Sequence, residues 1–76
     1  MKKYLLVVEN LSLRCIENYE CDLTINERKE FLYSIKRFII QRNKTMVDKL
    51  GVDNSISAFN GYYTILNIIE IPINRF

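Results

Sequence analysis

One capped, amphipathic segment at the centre of these 76 residues limits the possible folds more than any other feature. Thr24-Ile25-Asn26-Glu27 has the form of a capping box, in which the Thr hydroxyl and the Glu carboxylate reciprocally satisfy early backbone N–H groups. Leu32, Ile35, Ile39, Met46 and Leu50 then recur at helical spacing, with Phe31 and Phe38 beside them. Glu30, Arg37, Gln41, Lys44 and Asp48 fall on the far side, as an amphipathic helix requires. Gly51 is a natural stop. The spacing predicts a helix over about residues 25–50. As one rod it would run about 39 Å at about 1.5 Å per residue, against a diameter of roughly 30 Å for a compact chain of this size. Two outcomes are open. Either the helix breaks near Asn43, where Thr45-Met46-Val47-Asp48 offers a second capping box, or its end packs on another subunit.

The flanks read as strands. Tyr4-Leu5-Leu6-Val7-Val8 is apolar on both faces, the pattern of a central strand. Leu11, Leu13 and Cys15 alternate with Ser12 and Arg14, and Tyr19, Cys21 and Leu23 alternate with Glu20 and Asp22. A loop at Glu17-Asn18-Tyr19 sets Cys15 opposite Cys21 and Leu13 opposite Leu23, so strands are expected over about residues 3–23. Beyond the helix, Ser55–Phe59 and Tyr62–Leu66 flank Asn60-Gly61, the preferred pair for a two-residue type I′ turn. That predicts a hairpin over about residues 55–71, ended by Pro72. The expected fold is therefore α+β and a single domain spanning residues 1–76. It is a small antiparallel sheet of four to five strands with one long helix, continuous or broken, packed on one face.

Several function classes lack their parts. The chain has no histidine, the commonest general base, and its two glycines cannot build a phosphate-cradling loop. No nucleophile motif is present, so an enzyme is not expected. Cys15 and Cys21 are too few for a disulfide scaffold and read as reduced, structural hydrophobes. A zinc site would need four ligands completed from Glu17, Glu20 and Asp22; no metal or cofactor is expected. The apolar run after Lys3 ends at Glu9, short of a signal-peptide core, and nothing approaches the roughly 18 apolar residues of a membrane span. A cytoplasmic protein with no membrane partner is expected.

Binding residues are easier to find. Tyr33, Ile40 and Val47 form an i, i+7, i+14 stripe away from the main apolar face, and the last strand is apolar on both sides through Leu66 and Ile68. One helix covers one face of a sheet, so these five positions are the expected oligomer interface and a homodimer the expected state. Phe59, Tyr62 and Tyr63 lie at the mouth of the expected turn and are candidate anchors for a protein partner. The reading that follows is a non-enzymatic binding module acting by protein–protein interaction, with itself and an unidentified protein as partners. Eleven isoleucines and eight asparagines against a single alanine match an AT-rich coding sequence, which suits a small phage or mobile-element accessory protein that inhibits a host factor. Residues 27–50 hold seven of the eleven Lys and Arg and only three Asp or Glu. A first alternative is therefore a nucleic-acid-binding regulator using Lys29, Lys36, Arg37 and Lys44. A second is a small-ligand binder with its pocket at a homo-oligomer interface.

Overall fold

The computed structural model describes residues 2–23 and 28–72. Among these, β1 (Lys2–Asn10) and β2 (Cys15–Leu23) form a hairpin; α1 (Arg28–Ile40), α2 (Lys44–Leu50), α3 (Val52–Ser57) and α4 (Phe59–Tyr62) follow; β3 (Tyr63–Ile71) closes the chain. The sheet is antiparallel with order β2-β1-β3, so the doubly apolar strand is indeed the central one. The α+β class stands, but the expected four to five strands and one long helix do not. The sheet has three strands, and the helical material comes as four separate helices, the longest of 13 residues. No helix among the described residues is long and apolar enough to cross a membrane.

One missing strand, the expected Leu11–Cys15, becomes a turn, and only Cys15 joins β2. β1 runs on through Val8, Glu9 and Asn10, and the hairpin turns at residues 11–14 and not at Glu17-Asn18-Tyr19. Asn10 makes that turn: its Oδ1 accepts from the backbone N–H groups of Ser12 and Leu13, both at 3.1 Å. Arg14 completes it with a φ of 53°, the left-handed region. Cys15 consequently faces Asn10, while Cys21 faces Tyr4 six residues along the same strand. The thiols cannot meet across the hairpin: Cys15 is exposed and Cys21 buried.

The expected Asn60-Gly61 hairpin is absent as well. Residues 52–57 and 59–62 are helical, and only the second flank becomes a strand. A helical turn sets Phe59 and Tyr63, four residues apart, side by side, with rings stacked at 5.4 Å. Both enter the core with Leu6, Val8, Cys21, Ile35, Ile39, Ile40 and Met46.

The long helix breaks where a break was offered. α1 ends at Ile40, and Asn43 caps α2 by accepting from the Met46 N–H at 3.1 Å, so the cap is Asn43 and not Thr45. The Thr24–Glu27 capping box lies outside the described residues. Gly51, at φ 78° and ψ 167°, ends α2 and starts α3. That backbone region is nearly glycine-only, and it folds α3 back so that Ser55, fully buried, donates its hydroxyl to the Met46 carbonyl.

A bulge divides β3. Val8 faces Ile65 but Val7 faces Asn67, so Leu66 has no partner on β1. Tyr4, Leu6 and Val8, with Tyr19, Cys21, Leu23, Ile65 and Ile68, belong to the core beneath the helices. Leu5 and Val7, level with Ile69 and Asn67, point the other way.

Candidate functional site

The turn end of the molecule is where exposed apolar side chains, cavities and charge coincide. An open groove of about 430 Å³ lies between α2, the β1–β2 turn and α4, with the buried Met46 on its floor and Leu50, Tyr62 and Lys49 around it. Ser12 lines it from the hairpin side, and the Leu11 N–H donates to the Tyr62 carbonyl at 2.9 Å, tying the turn to α4. A smaller polar cleft of about 260 Å³ shares Asn43 and Thr45 with the groove and adds Arg42, Lys44, Glu17 and Leu13. Leu13 is 70% exposed, the most open large hydrophobe described, and Leu11 and Ile16 on either side are also exposed.

The polar cleft is internally satisfied. Asn10 Nδ2 donates to Glu17 at 3.2 Å, and Asn43 Nδ2 donates to the Tyr63 hydroxyl at 2.9 Å. No buried side-chain N or O among the described residues lacks a partner. Arg42 is held over the Phe38 ring at 3.3 Å and donates to the Phe38 carbonyl at 2.7 Å. The Tyr19 phenol is pushed up to about 12, first by burial and then by the neighbouring Glu17 carboxylate. A phenol held neutral so firmly is a poor general base at neutral pH. Among the described residues no three Cys, Asp or Glu side chains converge as a metal site would need. The chemistry on offer is recognition: an apolar seat with positive charge at its rim.

The Tyr19 shift has a measurable consequence. Burial also pushes the Cys21 thiol up, with Asp22 adding to it. Folding therefore favours the protonated form of both groups, and the unfolded chain releases these protons first. Their contribution to stability is complete below the unfolded values and is lost as pH rises through the folded ones. Stability is expected to be level below about pH 9 and to fall between about pH 10 and 12. Urea midpoints measured across that range test this, and Tyr19→Phe is expected to flatten the fall. A wild-type midpoint that stays level to pH 12 contradicts it.

The residues singled out from sequence are scattered. Phe59 and Tyr63 are core residues, 1% and 3% exposed, and only Tyr62 (40%) is open to a partner. Of the expected oligomer stripe, Ile40 is fully buried, Val47 and Ile68 pack against the core, and Tyr33 and Leu66 are exposed. The stripe assumed one continuous helix. Tyr33 and Ile40 still share a side of α1, Tyr33 exposed and Ile40 in the core, and the break at residues 41–43 puts Val47 on a separate helix. Lys36 sits over the Phe59 ring at 5.6 Å, Arg37 is in the last turn of α1, and Lys44 starts α2. Lys29 lies in α1, its side chain outside the described residues. Of the basic residues, Lys49 lines the groove, and Arg42 and Lys44 line the cleft beside it together with Glu17. The apolar turn at Leu11 and Leu13 went unseen because alternation placed it in a strand; the Asn10-x-Ser12 spacing, a local turn former, was the signal present.

No family model, curated protein or solved structure matches this chain.

Proposed function

We propose that the chain is a non-enzymatic protein-binding module that seats an acidic segment carrying an apolar anchor in the groove at its turn end. The observation that carries this reading is the groove's composition. Met46, Leu50 and Tyr62 form an apolar seat, and Arg42, Lys44 and Lys49 stand around it and the adjoining cleft. Asp48 shares α2 but lines neither, and the one acidic residue of the cleft, Glu17, accepts from Asn10. Aromatic residues, Met and Arg are the types enriched at interface centres, and methionine adapts to anchors of different shape. Positive rim charge favours carboxylates on the partner and speeds encounter at low salt. A small accessory protein that inhibits a host factor by occupying it would work in this way.

Selection from a displayed random-peptide library against the full chain tests the proposal. Enriched peptides are expected to set Asp or Glu beside Leu, Ile or Phe. Tyr62→Ala and Lys49→Glu are each expected to weaken them about tenfold or more, equivalent to about 1.4 kcal/mol, with little change in melting temperature because both side chains are exposed. Peptides indifferent to both replacements overturn the proposal. So does salt-steep binding of a polynucleotide at this same rim, which returns the site to the nucleic-acid alternative.

A further inference from the structure

The core-side face of the sheet changes character at its turn end. Leu6 and Val8 are fully buried there, and the next residue of that face on β1 is Asn10. On β2 the same face carries Leu23, Cys21 and Tyr19, all in or against the core, and then Glu17. A carboxylate seldom occupies the inward side of a strand, because burial strips its hydration unless a partner compensates. Glu17 lies opposite Val8, yet it is only half-buried because it opens into the polar cleft.

Its carboxylate is also held in place. Asn10 Nδ2 donates to Oε1 at 3.2 Å, and Asn10, 8% exposed, is itself fixed by the two turn N–H groups that its Oδ1 accepts. Arg42 lines the same cleft and is fixed in turn by the Phe38 ring and carbonyl. The ion pairs among the described residues are Lys2–Glu70 and Lys3–Glu20, toward the other end of the sheet. Left free, a guanidinium and a carboxylate in one cleft would pair and cancel. Held by neutral groups, each stays legible to a ligand.

We infer, on the reading that the groove seats a protein segment, that Glu17 determines its specificity: it accepts one basic side chain, so the partner segment carries a Lys or Arg on one flank of its apolar anchor and an acidic residue on the other. Groove and cleft adjoin through Asn43 and Thr45, which line both. A segment anchored on Met46, Leu50 and Tyr62 therefore passes into the cleft as it continues. There Leu13, 70% exposed, offers an apolar bed for the methylene stem of a Lys or Arg whose head reaches Glu17. At the groove end Lys49 takes the acidic residue. Arg42 and Lys44 line the cleft as well, which limits it to one basic side chain and repels a polybasic segment. Opposite charges at the two ends also fix the direction in which the segment lies, because a reversed segment sets like charge against like.

Peptides selected from a displayed random library on the full chain supply the probe. They are expected to carry a Lys or Arg on the flank opposite their Asp or Glu. Glu17→Gln keeps an oxygen for Asn10 and removes only the charge. It is expected to weaken these peptides about fivefold, between the effect of an exposed ion pair and that of a close pair across an interface, at an unchanged melting temperature. Replacing the basic residue of the peptide with alanine is expected to cost wild type the same and to cost Glu17→Gln nothing further, the signature of one shared contact. That peptide replacement needs no altered protein, so it decides the matter even where Glu17→Gln folds poorly. Peptides that respond to Tyr62→Ala and Lys49→Glu but lack a basic residue, or bind Glu17→Gln as tightly or more tightly, overturn this inference alone and leave Glu17 a structural partner of Asn10. Peptides indifferent to all three replacements overturn the groove reading with it.

Discussion

Phe59→Ala is expected to cost about 3–5 kcal/mol, the range for truncating a buried aromatic residue. The side chain is 1% exposed, stacks on Tyr63 and has the Lys36 ammonium over its ring, 5.6 Å from the centroid. A domain of 76 residues has about 4–11 kcal/mol of stability in all. At about 4–8 °C per kcal/mol, the melting temperature should fall by at least about 12 °C. Thermal melts followed by circular dichroism give the number. Tyr62→Ala, three residues on, is the control and is expected to stay close to wild type, since that ring is half in solvent. A Phe59→Ala chain that melts with wild type would remove the ring from the core and restore it as a candidate partner contact.

The second large loss is expected at Asn43. Its Oδ1 caps α2 and its Nδ2 supplies the Tyr63 hydroxyl, which is otherwise buried. Asn43→Ala removes the cap, worth about 1 kcal/mol, and strips a partner from a buried polar group, worth about 1–3 kcal/mol. About 2–4 kcal/mol should disappear together. Tyr63→Phe isolates the second part, because it deletes the hydroxyl and leaves the cap in place. In a double-mutant cycle read by urea unfolding, the pair should be non-additive by about 1 kcal/mol, whereas independent sites add to within about 0.5 kcal/mol. Additive losses would show that Asn43 acts only as a cap.

These two residues also show how far sequence reasoning reaches. A break near Asn43 was legible from a helix too long for the chain and from the Thr45–Asp48 capping box, although the residue that caps α2 is Asn43. The burial of Phe59 was not. Asn60-Gly61 is a good type I′ pair, but a turn preference is worth on the order of 1 kcal/mol, while burying a Phe is worth about 1.5–3 kcal/mol before stacking is counted. The helical turn wins because it brings Phe59 and Tyr63 to one side. The candidate site suffered most from this, since two of its three expected anchors turned inward.

Alternation along a strand states which residues share a face, and for β2 it did so correctly from Tyr19 to Leu23, while Glu17 and Asn18, read as a loop, belong to the strand as well. It carries no information about where the partner strand ends, so Leu11 and Leu13 were read into a strand and became a turn once β1 extended to Asn10. The sequence alone determined what depends on neighbours three or four residues away: the amphipathic core of α1, the stop at Gly51, the two-faced apolarity of β1 and the end of β3 at Pro72. Only the tertiary structure decided the β2-β1-β3 order, the β1–β2 register, the fate of Asn60-Gly61 and the groove between α2 and the hairpin turn. Each of these depends on contacts between residues far apart in the chain, where burial of a shared core outweighs any single local preference.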